Sequence, residues 1–419
     1  MMVYSKVDDL FILYISYDGL TDPLGQSQIL PYLCGLSKKG FKFDLISFEK
    51  VDKFSLNKSL IEKICREHDI NWHPVKYTKN PPVLSTVYDI FKMNRMANKL
   101  HQQKKFNAVH CRSYIPAIIG RQLKLKYQLP FIFDMRGFWV DERVEGKIWN
   151  LKNPAFKFIY QFFKKLEIKL FSSADYIISL TNAAIPAINK IRGENKNNIS
   201  VIPCCVDDSH FDYTKISHDK TIQLKAELGF KNDDFILTYL GSISTWYMPD
   251  KMLDFFKVLK SKKANAKFLF VTQEDSLHIE ELAKSKNLAL TDIIFKSANR
   301  TELPTLLSIS DATVYFITPS FSKIASSPTK KAELLCMGIP TVCNDGVGDT
   351  SKIMEANNSG FVCRNFNTDE YNNAIDFLLN SLNDVNEKSR LRSIGQKEFS
   401  LTSGIEKYYE AYQKTLKLN

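Results

Sequence analysis

The sequence predicts two successive α/β domains, each a parallel sheet doubly wound with helices. Three observations carry this. Short runs rich in Ile, Val and Phe alternate with longer stretches of helical period, the pattern of strands buried on both faces. The alternation runs through the chain twice, and 419 residues suit two domains of about 200 residues each. Between the two series lies a polar, irregular stretch from Cys205 to Lys220, which includes Asp207-Asp-Ser-His-Phe-Asp-Tyr-Thr-Lys215.

In the first half the expected strands are Phe11 to Ser16, Phe43 to Phe48, Ala108 to Cys111, Phe131 to Asp134, Tyr176 to Leu180 and Ile199 to Ile202. Helical stretches such as Ser27 to Lys39, Leu84 to Lys104 and Ala155 to Phe171 separate them. The second half gives Phe235 to Leu240, Lys267 to Thr272, Ile293 to Phe295, Ala312 to Ile317, Thr341 to Cys343 and Gly360 to Val362. A last helix over Ser403 to Leu416 carries Ile405, Tyr408, Tyr409, Tyr412 and Leu416 on one broad apolar face, fit to cross back onto the first domain. The expected domains are therefore residues 1–205, 206–400 and a C-terminal helix at 401–419.

Composition is that of an ordinary globular protein, with 44% hydrophobic and 25% charged residues. No apolar run approaches the roughly 18 residues of a membrane span. Lys6, Asp8 and Asp9 ahead of Leu10-Phe-Ile-Leu-Tyr-Ile15 do not read as a secretion signal, so the expectation is a cytosolic protein. None of the eight cysteines forms a C-x-x-C pair, which points to buried free thiols, with no disulfide and no metal site. The net charge of +11 suits phosphate-bearing ligands or an anionic membrane surface. Nucleic acid is disfavoured, because the lysines are scattered and no recognition element is present.

Five segments could carry chemistry. In Ser326-Ser-Pro-Thr-Lys-Lys-Ala-Glu-Leu-Leu-Cys-Met-Gly-Ile-Pro-Thr341, Ser327 is the expected N-cap and Pro328 the first helical residue. The amides near Thr329, with Lys330, make a diphosphate site, and Glu333 lies one turn on, within reach of ribose hydroxyls. Spacing alone supports a plain capped helix equally well. The loop Tyr17-Asp-Gly-Leu-Thr-Asp-Pro-Leu-Gly25, followed by Gln26, lets backbone approach a ligand, though its spacing is not that of a nicotinamide site. After Phe131 to Asp134 come Arg136, Trp139, Asp141, Glu142 and Arg143. The arginines suit phosphate, the carboxylates suit sugar hydroxyls, and Trp139 suits stacking on a sugar ring. The alternative is an internal Asp–Arg network steadying the loop. His110, with Arg112 and Ser113, ends another strand, and Asn344 to Asp349 places Gly346 in a loop able to turn amides toward phosphate.

Together these motifs resemble the retaining family-4 glycosyltransferases of GT-B fold, over nearly the whole chain. The resemblance rests on the glycine loop ending at Gly25, on Val201-Ile-Pro-Cys-Cys-Val-Asp-Asp-Ser-His-Phe211, and on Tyr239-Leu-Gly-Ser-Ile-Ser244. Asp311-Ala-Thr-Val-Tyr315 and the Glu333 helix with Gly338 and Pro340 complete it. It implies two Rossmann-like domains facing each other across a cleft, acceptor-side first and donor-side second. Glu333 matches the second glutamate of the family's E-x7-E motif, which holds the donor ribose. Ala325 stands where the first glutamate would be, and Ser242 where the usual arginine is, so Lys330 with the amides near Thr329 is expected to meet the diphosphate. These departures also single out Lys323, Ser326 and Ser327. Asp134 lies where many relatives carry a histidine, so Asp134 and Arg136 are the expected acceptor-side chemistry.

The resemblance implies transfer from a nucleotide sugar with retention, using no enzyme nucleophile, no metal and no cofactor. Gly241, Ser242, Ser327, Thr329, Lys330, Glu333 and Gly346 form the expected donor set. Gly25, Gln26, His110, Trp139 and Glu142 join Asp134 and Arg136 on the acceptor side. The implied acceptor is a glycan or lipid-linked glycan of bacterial surface polysaccharide, met at the cytosolic membrane face. Phe156 to Leu170 mixes aromatics with lysines as an interfacial helix does, but its place in the element order favours a core-facing helix with its lysines outside. Two other readings are a nucleotide-sugar epimerase and a non-catalytic partner subunit, for which Ala325 is the main argument.

Overall fold

The structure, a computed structural model, describes residues 10–243 and 245–418; Lys6, Asp8, Asp9 and Ser244, named above, lie outside them. The chain forms two compact units. One runs up to Pro203 and includes the segment from Leu401 onward; the other spans Cys204–Ser400.

The first unit holds a parallel sheet of seven strands: β1 Leu10–Ser16, β2 Phe41–Glu49, β3 Ile70–Lys76, β4 Ala108–Arg112, β5 Phe131–Asp134, β6 Tyr176–Ser179 and β7 Ile199–Val201. Their spatial order is β3-β2-β1-β4-β5-β6-β7, so the winding reverses between β1 and β4. Ile12 pairs with Ala108 and Tyr14 with His110 across that junction. β1, β4 and β5 are buried on both faces, which is why they read as unbroken apolar runs. β3 is not among the strands expected from sequence. Its Ile-Asn-Trp-His-Pro-Val-Lys is half-exposed, and Pro74 is tolerated because β3 is an edge strand.

The single helix expected over Ser27 to Lys39 is instead two, Pro23–Gln28 and Leu30–Ser37, broken at Ile29. Pro31 has no N–H, and its ring would strike the carbonyl four residues back. Leu401–Leu416 packs on the second of these helices, where Gly35 leaves room for the Ile405 side chain. Tyr408 and Tyr412 are buried beneath it, and Lys39 sits 4.7 Å from the Tyr409 ring centre.

The helix Pro154–Ser173 packs one face inward with its lysines outside, as expected, but its outer face is also apolar in part. Leu170 and Phe171 do face inward, yet Phe158 and Phe162 are 71% and 53% exposed. Its one acidic residue, Glu167, is buried against Tyr114 and Lys164. The outward face therefore mixes Phe158, Phe162 and Ile168 with the exposed Lys157, Lys165 and Lys169.

The second unit holds six parallel strands: β8 Phe235–Leu240, β9 Ala266–Val271, β10 Ile293–Lys296, β11 Ala312–Tyr315, β12 Thr341–Asn344 and β13 Gly360–Cys363. Their order, β10-β9-β8-β11-β12-β13, repeats the reversal between β8 and β11. Asp311 fastens that junction by accepting the Ile236 amide at 2.7 Å. All eight cysteines are free, and only Cys34 reaches partial exposure. Among the described residues no helix is long and apolar enough to cross a membrane.

Candidate functional site

In a doubly wound sheet, ligands gather at the carboxyl ends of the strands beside the reversal of strand order. Each unit places buried charge there.

In the second unit β8 ends at Leu240 and the chain turns through Gly241, whose φ of +127° suits glycine. A Cβ on Gly241 would lie 2.7 Å from the Lys330 Nζ, so the missing side chain is what admits the lysine. Lys330 comes from the helix Thr329–Cys336 and is only 5% exposed. Its Nζ sits 3.9 Å from the ring centre of Tyr247 and 4.5 Å from that of Tyr239, and donates to the Tyr239 hydroxyl at 3.3 Å. Such rings attract a cation through their faces. Burial nonetheless pulls the ammonium pKa down to about 7, opposed only by Glu333 one turn away.

Tyr247 and its neighbour Trp246 escaped the sequence reading. Tyr247 bridges to Ile317, Met248 N donates to Phe316 O, and Thr318 N donates to Trp246 O, making a short added edge beyond β11. Asn344, at the end of β12, clamps Ile317 by accepting its amide at 2.7 Å and donating to its carbonyl at 2.9 Å. Trp246 in turn carries the Lys323 ammonium 3.6 Å from its ring centre.

Glu333 is 13% exposed, and burial raises its pKa, countered by Arg300 and Lys330. Arg300, another residue missed in sequence, approaches it at 3.6 Å. Ser242 donates to Glu274, and its carbonyl accepts from the Tyr239 hydroxyl. Ala325 is buried, so the position of the family's first glutamate holds no polar group.

One expectation needs correction. Ser327 is not the N-cap: the helix starts at Thr329, Pro328 takes the cap position with extended backbone, and Ser327 Oγ instead accepts the Cys204 amide at 3.2 Å. Pro328 has no N–H and Ser327 is turned away, so the first-turn amides keep no capping side chain. Gly346 has φ +84°, and a Cβ there would lie 2.8 Å from Pro319 Cβ, so its missing side chain lets two loops pack closely. Asp345 is a turn former, accepting from Ser351.

In the first unit the loop after β1 is organised by Glu49, at the end of β2. Its buried carboxylate accepts Leu20 N at 2.8 Å, Thr21 N at 3.0 Å and both the Thr21 and Ser47 hydroxyls. Gly25 is buried against the Gly19 carbonyl, so its bare backbone admits this loop and not a ligand. Gln26 donates to Thr21 O at 3.1 Å.

At the ends of β4 and β5 lies the most buried charge cluster. Asp134 is 0% exposed. Its Oδ2 accepts the Tyr408 hydroxyl at 2.8 Å, and His110, Arg112 and Arg136 lie 3.7, 3.8 and 3.7 Å from its oxygens. Burial would raise its pKa, but Arg136, His110 and Arg112 outweigh it and hold the carboxyl at about 2. Burial lowers the His110 pKa, and its Nδ1 is 2.6 Å from the Tyr412 hydroxyl. Closed from solvent and strongly acidic, Asp134 is built to position Arg112 and Arg136 and not to take a proton from an acceptor. Arg136, with φ +59°, keeps 11% of its side chain exposed at the strand edge.

Trp139 is not free to stack on a sugar. Tyr114, Trp149 and Phe163 surround it, and the Arg143 guanidinium lies 4.9 Å from its ring centre. Glu142 is half-buried in the first turn of the same helix, Trp139–Glu145.

Two parallel sheets of this order in one chain, each with its charged groups at the strand ends beside the reversal, and a last helix returned to the first unit, make a GT-B fold. The model described as Glycosyltransferase Family 4 matches residues 32–210, and that described as Glycosyl transferases group 1 matches residues 220–398. The chain belongs to the family-4 glycosyltransferases. No curated protein matches the sequence. A glycosyltransferase from Rickettsia africae is 16% identical, with a TM-score of 0.73 over 98% of this chain and 100% of that one. Anabaena HepE in complex with UDP-glucose is 14% identical, with a TM-score of 0.68 over 96% and 99%. WaaG, a glycosyltransferase involved in lipopolysaccharide biosynthesis, is 13% identical, with a TM-score of 0.67 over 95% and 98%.

Proposed function

We propose that this glycosyltransferase takes its sugar from a nucleoside-diphosphate donor bound at the strand edge of the second unit. The recipient is a glycan or lipid-linked glycan of surface polysaccharide, and the anomeric configuration is retained. The observation that carries the donor assignment is Lys330 lodged against the bare Gly241 with Glu333 one turn behind. Lys330 and the first-turn amides meet the growing charge on the leaving diphosphate, an electrostatic role that draws on no cofactor. Glu333, held by Arg300, accepts from ribose hydroxyls. The UDP-glucose held by HepE supports a nucleotide sugar as donor. The role of WaaG in lipopolysaccharide synthesis supports a surface glycan as product. Retention rests on the family resemblance.

Thermal-shift measurements with UDP, GDP, TDP, CMP and their common sugar conjugates test this. At about 100 times its dissociation constant, one nucleotide should raise Tm by roughly 5–10 °C. Glu333→Ala should lose most of that shift while melting normally without ligand. A full shift in the variant would remove Glu333 from the donor site.

The helix Pro154–Ser173 supports peripheral contact with an anionic membrane. Its exposed Phe158 and Phe162 sit among lysines with no exposed carboxylate, the composition of an interfacial face. The protein should sediment with vesicles containing phosphatidylglycerol and much less with pure phosphatidylcholine. Phe158→Ser with Phe162→Ser should weaken partitioning by roughly tenfold or more, since each buried ring contributes about 1.5–3 kcal/mol. Equal binding by the double variant would reassign the contact elsewhere.

A further inference from the structure

The turn that leaves β8 already holds an anion, and that anion belongs to the chain. Gly241 N is spent on Val271 O at 3.0 Å. Two donors that follow it go to Glu274: the Ser242 hydroxyl to Oε1 and the Ile243 amide to Oε2 at 3.2 Å. One carboxylate thus takes two neighbouring donors, one with each oxygen, as a phosphoryl group would. Glu274 reaches the turn from the segment after β9, where its own amide donates to Thr272 Oγ1 at 3.2 Å. The turn runs on into Thr245 at φ +55°, a conformation rare for a β-branched residue.

This carboxylate sits beside the cation assigned to the donor. The Tyr239 hydroxyl accepts from Lys330 at 3.3 Å and donates to Ser242 O, so one side chain links the ammonium to the residue that Glu274 holds. Lys330 Nζ also fills the space left by the missing side chain of Gly241, the residue before Ser242. Glu274 itself is exposed and makes no ion pair within 4 Å among the described residues. Any side chain with an acceptor atom could tether the turn. A carboxylate does more, because an arriving diphosphate meets a like charge at close range, and like charges set together cost affinity.

We infer that Glu274 sets specificity by charge: it is a resident anion that the donor diphosphate displaces from the turn, and it favours the donor over the diphosphate left after transfer. The donor here rests on the proposed function; the occupied turn does not. In a nucleotide sugar both phosphorus atoms are esterified and each carries one charge. On transfer the bond from the sugar carbon to the phosphoryl oxygen breaks and its electron pair stays on that oxygen. The acceptor oxygen bonds the sugar carbon, and its proton passes to solvent. The terminal phosphoryl, whose second ionisation lies near pH 6 by analogy with about that value for phosphate monoesters, then gains a second negative charge. A carboxylate beside the turn penalises that added charge and so favours departure of the spent diphosphate.

The test is calorimetric titration of the full chain at about pH 7.5 and low salt with two probes that carry no base or sugar. One is inorganic pyrophosphate; the other is its diester with one methyl group on each phosphorus, charged as the donor is. Glu274→Gln keeps the shape and removes the charge, and without ligand it should melt as the wild type does. It should tighten pyrophosphate by about tenfold or more and the diester by no more than about threefold, since the repulsion scales with the charge on the probe. Lys330→Met should abolish binding of both probes. Equal gains for the two probes, unchanged affinity, or weaker binding in Glu274→Gln overturns the proposal, the last by making Glu274 a scaffold for the turn. Those results leave the donor site at Lys330 standing. Pyrophosphate binding that survives Lys330→Met, or is absent from wild type and Glu274→Gln alike, overturns the proposal together with the assignment of Lys330 to the diphosphate.

Discussion

Lys330→Met is expected to lower kcat by about 10²–10³-fold, the usual cost of removing one preorganised charge from a developing oxyanion, while making the resting protein melt higher near pH 6. Both effects come from one geometry. The ammonium is enclosed by Tyr239 and Tyr247 against Gly241, with no carboxylate within 4 Å among the described residues, and its pKa falls to about 7. Between that value and the ordinary 10.5 the unfolded chain binds a proton that the folded chain does not, so this group makes stability rise with pH across that window. Below about pH 7 the full penalty of charging a buried amine is present. Methionine fills the volume without the charge, so its Tm advantage should be largest near pH 6 and shrink toward about pH 10. Lys331, drawn down to about 8 by burial, is present in both proteins and cancels in the difference. A bound diphosphate reverses the balance by stabilising the charged amine, so donor binding near pH 8 should take up a proton. Calorimetry in two buffers of different ionisation enthalpy would show it, and Lys330→Met should abolish it. A variant with unchanged kcat and unchanged proton uptake would mean that the diphosphate sits elsewhere.

The same residues show what a sequence displays and what it hides. β8, β9 and β12 are buried on both faces, and their apolar runs locate them within a residue or two. The edge strand β3 is half in water, so no run of that kind marks it. Gly241, Lys330 and Glu333 could each be picked out as a turn glycine, a helix-start lysine and a carboxylate one turn on. That the first makes room for the second depends on two strand ends meeting, which no local pattern states. Tyr247 and Trp246 lie in a stretch with neither helical nor alternating period, and only its pairing with Ile317 and Thr318 brings them to the lysine. Glu49 was legible in principle: it ends a buried strand at the carboxyl edge, the positional argument that picked out Asp134. A terminal glutamate usually signals a solvated strand end, and nothing local in the sequence shows the four groups it gathers. Trp139 shows the opposite error, since a tryptophan after a strand fits a sugar platform until Tyr114, Trp149 and Phe163 are seen to enclose it.

Asp134→Asn is expected to cost about 3–5 kcal/mol of stability, the range for breaking a buried charge network by removing one partner. For a unit of this size that is a fall in Tm of roughly 6–20 °C. Asparagine keeps the shape and can still accept from Tyr408, but it removes the buried negative charge that Arg112 and Arg136 share, leaving Asp18 as the carboxylate beside Arg112. Tyr408→Phe removes one hydrogen bond and no charge, and should cost only about 0.5–1.5 kcal/mol. With the folded carboxyl at about 2 against an unfolded value near 3.9, its contribution is fully present above about pH 4 and is lost as pH falls toward 2. The deficit of Asp134→Asn, measured by urea unfolding, should therefore be constant through neutral pH and shrink only in acid. The kinetic consequence separates positioning from proton transfer. If Asp134 acts through Arg136, the variant should lose kcat while keeping the wild-type pH–rate profile above about pH 5, where the native carboxylate never titrates. If Asp134 were itself the base, its loss should flatten an ionisation visible in the wild type, and the Arg112 and Arg136 guanidiniums beside it leave no such ionisation in that range.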